Sequence, residues 1–295
     1  MTAALEWRDV SKRYGAVRAL DRLSLEVRPG EVFGFLGPNG AGKTTAIRIA
    51  AGLLRTDEGE VFLGGAPAGR PESRRRVGYL PEDIRLPARH RLGEWLACQL
   101  RLRGVDGARI PAVAERVGLA GRLDTETGAL SKGMRRRAGL MLMIAVDPAL
   151  WLLDEPTADL DVPGRELVEN VILEARSRGA SFFLSSHILS EVERVCDRVG
   201  LIERGRLART AAPAELLPAP FLVDATFHET PPEPERLLEG RTFVEDREAR
   251  RIRVFVRDRE DGDRVLRLFE EAGSVVRQST FRSASLRDSI RGLLS

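Results

Sequence analysis

A short glycine-rich stretch constrains this chain more than any other part of its sequence. It reads Gly37, Pro38, Asn39, Gly40, Ala41, Gly42, Lys43, Thr44, Thr45. That order fits the phosphate-binding pattern of a glycine, four residues and then Gly-Lys-Ser/Thr. The apolar run 32–36 before it predicts a buried parallel strand, and residues 44–51 after it predict a helix. A strand, a glycine loop and a helix in this order are the setting that the pattern requires.

The residue types in the loop indicate how it would hold a nucleotide. Glycines let consecutive backbone N–H groups turn toward a phosphate, and the helix N-terminus adds partial positive charge. Lys43 is expected to reach the terminal phosphates, and the Thr44 hydroxyl is expected to bind Mg²⁺. Of 47 basic residues only three are lysines, so a chance occurrence of lysine is a poor explanation for Lys43. The loop therefore predicts binding of a nucleoside triphosphate with Mg²⁺.

The composition points away from a secreted or membrane-spanning protein. The 47 basic and 44 acidic residues give a net charge of +3, which is weak support for a nucleic-acid partner. Arginine runs at 74–76 and 135–137 suggest either contacts to a phosphate backbone or solvated helix faces, and solvated faces are the favoured interpretation. Cys98 and Cys196 lack metal-ligand spacing and indicate reduced thiols in a cytosolic protein. No signal peptide is predicted, and the longest apolar run, 138–146, falls short of the ~20 residues that cross a bilayer.

Polar residues follow two other predicted strands. Asp154 and Glu155 end the apolar strand 150–153, where adjacent carboxylates are costly without a metal or a cation. Asp154 is expected to hold the Mg²⁺ shell and Glu155 to polarise an attacking water. His187 follows the strand 180–184 and is expected to face the γ-phosphate, because ligands of parallel sheets bind at the carboxyl ends of the strands.

Two further stretches are open to more than one interpretation at this stage. Tyr14 lies between the first two predicted strands, 5–10 and 20–27, and either stacks on a purine ring or closes a hairpin. Residues 91–121 carry apolar side chains at helical spacing, which is more typical of packing than of a cofactor site. Ser131 is a good N-cap for the helix that follows it.

Taken in order, these stretches resemble the nucleotide-binding subunits of ABC transporters over about residues 4–210. The phosphate loop and 150–155 match the two Walker motifs, 130–134 the family signature, 158–161 the D-loop and His187 the switch histidine. The resemblance implies an α/β P-loop NTPase with an ABC-type antiparallel β subdomain and a helical insert at about 88–140. The ATPase domain is expected to occupy residues 1–217, because the proline-rich stretch 217–220 predicts a domain boundary.

The resemblance also implies a role for each site residue, with ATP and Mg²⁺ as cofactors. Tyr14 would stack on the adenine, and Ser131 and Gly133 would contact the γ-phosphate of the ATP held by a partner subunit. The implied catalytic residues are Glu155, His187 and Lys43, and the residues implied around Mg²⁺ are Thr44, Glu82 and Asp154. The remaining phosphate-loop residues would hold ATP.

The sequence departs from the family pattern at two places. Lys132 and Met134 replace the first Gly and the Gln of the usual Leu-Ser-Gly-Gly-Gln signature. The resulting Leu-Ser-Lys-Gly-Met-Arg form is similar to that of bacterial exporters of the daunorubicin-resistance type. Glu82 stands where most relatives have a glutamine that contacts Mg²⁺ and transmits to the membrane partner. A carboxylate is still able to ligate Mg²⁺.

The function implied is that of the ATP-binding subunit of an exporter. Two copies would pair head to tail around two ATP molecules and hydrolyse them, driving separate membrane-spanning permease subunits. The chain would be cytoplasmic and peripheral on the inner face of the membrane, with no direct nucleic-acid partner. A soluble ABC ATPase acting on nucleic acid or ribosomes is the alternative, although the sequence has no long coiled coil or second cassette. A non-catalytic regulatory nucleotide binder is disfavoured by Lys43, Asp154, Glu155 and His187.

The C-terminal part, residues 218–295, predicts a separate α+β domain. Its predicted strands and helices follow the order of a ferredoxin-like unit: strand, helix, strand, strand, helix, strand. A last helix is predicted at 285–294. Dimer support, docking to a partner and small-molecule sensing are the three roles open to this domain, and it carries no ligand motif.

Overall fold

The phosphate loop lies in the larger of two compact units, Met1–Thr210 and Ala211–Ser295. The computed structural model describes residues 2–186, 188–229 and 233–284. The sequence prediction divides the chain after residue 217, at its proline-rich stretch. The division in the structure comes earlier, because the last strand of the first unit ends at about residue 211 and the turn Pro213–Leu216 belongs to the second.

The described part of the first unit contains ten strands and seven α-helices. The strands are β1 (Leu5–Tyr14), β2 (Val17–Val27), β3 (Val32–Leu36), β4 (Glu58–Leu63), β5 (Ala66–Pro67), β6 (Val77–Leu80), β7 (Leu150–Asp154), β8 (Ser181–Ser186), β9 (Arg198–Glu203) and β10 (Arg206–Ala211). The helices are α1 (Lys43–Ala50), α2 (Pro71–Arg74), α3 (Leu92–Leu102), α4 (Ile110–Arg116), α5 (Lys132–Val146), α6 (Val162–Ser177) and α7 (Leu189–Val195).

Two sheets share one hydrophobic core in this unit. The first is antiparallel where β1 pairs with β2 and β4, and its order is β2-β1-β4-β5. Trp7 of this sheet is buried against Phe183 of the second sheet, with 4.6 Å between the ring centroids. Burying such aromatic side chains supplies much of the hydrophobic stabilisation of a core.

The second sheet has the order β10-β9-β3-β8-β7-β6 and places the predicted site residues at one edge. Strands β3, β8, β7, β6 and β9 run parallel. The phosphate loop follows β3, Glu82 follows β6 and Asp154 ends β7, so all of them lie at the carboxyl ends of the strands. Because β8 pairs with both β3 and β7, its last residues lie at the same edge of the sheet as the phosphate loop and Asp154.

A helical region is inserted between β6 and β7. Helices α3, α4 and α5 pack around a separate apolar cluster in which Leu92, Leu96 and Leu100 of α3 are fully buried. These leucines recur every four residues, which places them on one face of the helix. The insert was predicted at about 88–140, and its last helix continues to Val146.

One interpretation of the arginine run 135–137 is wrong. A solvated helix face was expected, but Arg136 is only 3% exposed and its guanidinium donates to the carbonyl oxygens of Pro81 and Glu82. The chain segment after β6 passes over the start of α5, so its carbonyl groups are available to this side chain. Burial of an arginine is stable when its donors are paired in this way.

The second unit is a ferredoxin-like α+β fold. Its elements are β11 (Phe221–Phe227), α8 (Pro234–Leu237), β12 (Phe243–Asp246), β13 (Arg251–Val256), α9 (Arg259–Glu271) and β14 (Val276–Ser283). The sheet order is β12-β13-β11-β14, and each of its three pairs is antiparallel. The helix predicted at 285–294 lies outside the described residues. Across the residues that the structure describes, no helix combines the length and the apolar character needed to span a bilayer.

Candidate functional site

The phosphate loop connects β3 to α1 and is shaped by its glycines. Gly42 has a φ of 110°, and a Cβ atom there would lie 2.3 Å from the carbonyl oxygen of Ala19. A Cβ atom on Gly37 would lie 2.3 Å from the carbonyl oxygen of Ile202. Neither position has room for a side chain, so the close approach of two backbone segments explains both glycines.

The Lys43 side chain lies inside the loop. It is 7% exposed, and its Nζ donates to the carbonyl oxygens of Gly37 at 2.7 Å and Pro38 at 3.3 Å. The same Nζ is 3.9 Å from Oε1 of Glu155. The structure therefore places the ammonium group between the loop carbonyls and a buried carboxylate, where it is held in position for a phosphate.

Asp154 is buried with one carboxylate oxygen paired and the other without a partner. Oδ1 accepts from the hydroxyls of Ser185 at 2.8 Å and Thr44 at 3.1 Å, whereas the buried Oδ2 has no hydrogen bond. Burial raises the pKa of this carboxyl above its ordinary value, and the two hydroxyl bonds oppose that shift. A buried oxygen with no partner is costly unless a cation or a water satisfies it.

These residues fit a Mg²⁺ ion. Among the described residues, no group of three or more His, Cys, Asp or Glu side chains could hold a metal by themselves. Mg²⁺, however, commonly binds one or two carboxylates together with waters and the phosphates of its nucleotide. The orphaned Oδ2 of Asp154, with the Thr44 hydroxyl beside it, is the donor set expected for such a site.

Glu155 follows Asp154 at a sharp change of backbone direction. Its φ is 48°, and its backbone N–H donates to Oγ of Ser185 at 3.0 Å. The side chain is buried, at 7% exposure. A left-handed backbone at a non-glycine residue costs about 1–2 kcal/mol, and such strain is often found at functional sites. Here the turn brings the carboxylate back toward Lys43.

A cavity of about 440 Å³ brings most of the predicted site residues together. It is lined by the loop residues Asn39, Gly40, Gly42, Lys43, Thr44 and Thr45 and by Tyr14, Ala19, Glu82, Glu155 and Ala158. Tyr14 ends β1 opposite Val17, so it closes a hairpin and also borders this cavity with a half-exposed ring. The cavity thus combines phosphate-binding, acidic and aromatic groups.

Six of the predicted residues that the structure describes do not line this cavity: Gly37, Pro38, Ala41, Asp154, Ser131 and Gly133. Ser131 caps α5 by accepting from the N–H of Met134, and Gly133 lies in the first turn of the same helix beside the carbonyl oxygen of Asp159. His187 lies outside the described residues. A second, smaller cavity of about 200 Å³ is lined by Glu82, Asp83, Ile84, Lys132, Arg135, Arg136 and Asp159. Glu82 borders both cavities.

Sequence reasoning missed two residues that hold the site together. Ser185 bonds both Asp154 and the backbone of Glu155, and Arg136 lies beneath Glu82. Ser185 follows the predicted strand 180–184, so its place at the carboxyl end of β8 was a usable signal. Arg136 gave no such signal, because an arginine within a basic run is usually exposed.

A family model, related proteins and solved structures all show that the chain is similar to ATP-binding proteins of ABC transporters. The family model described as ABC transporter matches residues 20–158. The "Nod factor export ATP-binding protein I" of Cupriavidus metallidurans is 38% identical over 223 residues, 74% of each chain. An uncharacterized ABC transporter ATP-binding protein of Bacillus subtilis, YhcH, is 37% identical and covers 70% of this chain and 69% of its own length. A solved ATP-binding subunit of an ABC transporter superposes with a TM-score of 0.68 at 30% identity, covering 72% of this chain and 91% of that one.

Proposed function

The chain belongs to the ABC transporter family as an ATP-binding ATPase subunit, and we propose that it powers an exporter as a head-to-tail homodimer on separate membrane-spanning subunits. Export is supported by the Leu130–Met134 signature variant and by the name of the Cupriavidus relative, an export ATP-binding protein. The expected location is the inner face of the cell membrane.

The observation that carries the proposal is the composition of the 440 Å³ cavity. Backbone N–H groups of the phosphate loop and the Lys43 ammonium group suit the phosphates, while Tyr14 suits the adenine. Glu155 borders the same cavity, close to Lys43. A base next to a phosphate site is the arrangement that a hydrolase requires.

Each catalytic side chain has a distinct proposed task. Glu155 orients the attacking water and accepts its proton as the bond to the γ-phosphorus forms, while the bond from the γ-phosphorus to the β,γ-bridging oxygen breaks and ADP leaves. Lys43 stabilises the negative charge of the phosphate oxygens, and His187 contacts the γ-phosphate. Thr44, Asp154 and Glu82 would hold Mg²⁺, which would neutralise negative charge of the bound phosphates.

The homodimer follows from the residues that the cavity lacks. Ser131 and Gly133 are assigned to the γ-phosphate, yet neither lines the cavity beside the phosphate loop of its own chain. Both stand at the N-terminus of α5, and Ser131 is exposed. A second copy, rotated so that its α5 faces this cavity, would supply them. Each ATP would then lie between the phosphate loop of one chain and the Ser131 of the other.

A separate surface of the first unit suits the membrane-spanning partner. A cavity of about 730 Å³ is lined by Ala51, Leu53, Pro71, Arg74, Arg75, Val77, Tyr79, Leu102 and Arg103. Leu53 and Leu102 are 64% and 76% exposed at its rim. Exposed leucines beside three arginines favour an apolar segment that carries acidic residues. We assign this surface to a cytoplasmic segment of the permease.

The experiment that tests the function is a pull-down from detergent-solubilised membranes. Glu155→Gln is loaded with Mg-ATP to hold the dimer closed, and Lys43→Ala under the same conditions is the control for nucleotide dependence. Recovery of a polytopic membrane protein with the first variant supports the exporter. Recovery of ribosomes or nucleic acid without a membrane protein would overturn it.

The same pull-down tests the partner surface. Replacing Leu53 and Leu102 with serine in the Glu155→Gln chain should abolish recovery of the membrane protein without weakening ATP binding. Leu173→Ser is the matched control, since Leu173 is an exposed leucine on α6 away from this cavity. Equal recovery with both sets of substitutions would show that the permease binds elsewhere.

A further inference from the structure

The guanidinium of Arg136 links three parts of the chain that sequence separates. Nη1 donates to the carbonyl oxygen of Pro81 at 2.7 Å and lies 3.5 Å from that of Asp154, while Nη2 donates to the carbonyl oxygen of Glu82 at 2.5 Å. Pro81 and Glu82 directly follow β6, and Asp154 ends β7. One side chain on the second turn of α5 is therefore bonded to the ends of two adjacent parallel strands.

The two neighbouring arginines of the run 135–137 contact other parts of the chain. Arg135 donates to the carbonyl oxygen of Leu130, and Arg137 donates to Asp161 and to the carbonyl oxygen of Val117. Both are partly exposed, whereas Arg136 is 3% exposed. The contact to the strand ends is thus a property of position 136 and not of a basic helix face.

The charge of Arg136 lies among acids of the candidate site. Burial lowers the pKa of the guanidinium, and the negative charges of Asp159, Glu82, Asp154 and Glu155 oppose that shift. An arginine keeps its proton in proteins, so the site holds a fixed buried cation behind its carboxylates. The Glu82 side chain, by contrast, is exposed, and it is the backbone carbonyl of Glu82 that Arg136 contacts.

We propose that Arg136 is a positioning residue for ATP hydrolysis, which fixes the backbone at Glu82 so that the Glu82 carboxylate stands beside Thr44 and Asp154 for Mg²⁺. This inference rests on the proposed assignment of Glu82, Thr44 and Asp154 to the metal. A forked guanidinium donates to two carbonyl groups at once, whereas a lysine ammonium group is a single point that cannot hold both in this geometry. Replacing the guanidinium with an ammonium group would keep the positive charge but would release the backbone at Glu82.

The test compares Arg136→Lys with Arg137→Lys, the same substitution one residue further along α5. Each variant is assayed for kcat and KM, for the Mg²⁺ concentration that gives half-maximal hydrolysis, and for affinity toward a fluorescent ATP analogue with Mg²⁺ and in EDTA. Arg136→Lys should lower kcat and raise the half-maximal Mg²⁺ concentration by about tenfold or more each, as expected when support for a metal ligand is lost. Its affinity in EDTA should stay within about twofold of wild type, as should every value for Arg137→Lys.

Glu82→Ala keeps the inference testable even if Arg136 variants fail to fold, because this exposed side chain is not needed for packing. It should reproduce the shift in Mg²⁺ dependence, and adding Arg136→Lys to it should change that shift no further. An unchanged Mg²⁺ dependence in Glu82→Ala or in folded Arg136→Lys would overturn the inference, as would equal effects of Arg136→Lys and Arg137→Lys. A wild-type chain without Mg²⁺-dependent hydrolysis would overturn the proposed function as well, so the two failures are distinguishable.

Discussion

At the scale of single residues, the site lowers the folding stability of the nucleotide-free protein, and Asp154 shows this most directly. Its carboxyl is buried, one oxygen has no partner, and burial raises its pKa. The folded chain therefore holds this proton more tightly than the unfolded chain, whose carboxyl titrates near about 3.9. The contribution of Asp154 to stability is greatest below that pH and declines as the pH rises through the folded-state pKa.

Asp154→Asn should accordingly stabilise the nucleotide-free protein at pH 7 while abolishing Mg²⁺-dependent hydrolysis. Asparagine keeps the oxygen that Ser185 and Thr44 contact but carries no charge. The melting temperature should rise, by about 2–4 °C for each kcal/mol gained in a unit of this size. The gain should shrink as the pH is lowered toward the ordinary carboxyl value. A variant that melts below wild type at pH 7 would contradict this account.

The glycines of the phosphate loop make a second residue-scale prediction. Gly42→Ala should destabilise the nucleotide-free chain more than Gly40→Ala. Both positions have positive φ, which costs about 1–2 kcal/mol for alanine. Only at Gly42 would the new methyl group also meet a backbone oxygen, at 2.3 Å, whereas the space at Gly40 is open. Chemical denaturation of the two variants measures the difference, and equal losses would show that the Ala19 segment moves freely.

The sequence was sufficient to predict that several candidate site residues lie close together in the fold. Lys43, Thr44, Glu82 and Glu155 all border one cavity, as their positions after parallel strands indicated. Arg136 could not be predicted, because whether an arginine is buried depends on which carbonyl groups another segment brings to it. Position in the chain gives no information about that partner.

At the scale of elements, the sequence correctly predicted the two strands of the first hairpin but underestimated the length of each. Strands were expected at 5–10 and 20–27, but β1 and β2 extend to Tyr14 and from Val17. The pairing shifts register between Trp7 and Val10 and again before Lys12. Such bulges break the alternation of apolar and polar residues while the hydrogen bonds continue. The alternation therefore ended before the strand did.

A comparison of two helix-capping residues distinguishes a structural role of Ser131 from a functional one. Ser131→Ala removes the cap on the N–H of Met134 and should cost about 1 kcal/mol of stability. Asp258→Ala removes the equivalent cap of α9 in the second unit, where the side chain accepts from the N–H of Asp261. Both variants should lose similar stability, but only Ser131→Ala should lower hydrolysis, by about tenfold or more if Ser131 contacts the γ-phosphate. Equal hydrolysis by the two variants would leave Ser131 with a capping role alone.

At the scale of the whole molecule, the proposed head-to-tail dimer divides each ATP site between two chains. The phosphate loop and Glu155 border one cavity, while Lys132 borders another and Ser131 borders neither. Within a single chain, the phosphate loop and Ser131 therefore do not line the same cavity. A chain that carried both halves of a site on one surface would have no need of a second copy. The division predicts that, within one chain, a defect in the phosphate loop damages one ATP site of the dimer and a defect at Ser131 damages the other.

Mixing two inactive variants tests this division. Lys43→Ala damages the phosphate loop but leaves Ser131 intact, and Ser131→Arg blocks the signature but leaves the loop intact. In a head-to-tail heterodimer, the intact loop of the second chain faces the intact Ser131 of the first, which restores one complete site. Random mixing makes half of the dimers hybrid with one good site each, so hydrolysis should recover to about a quarter of the wild-type rate. Mixing either variant with itself should recover nothing, and a mixture no more active than its components would show that each chain completes its own site.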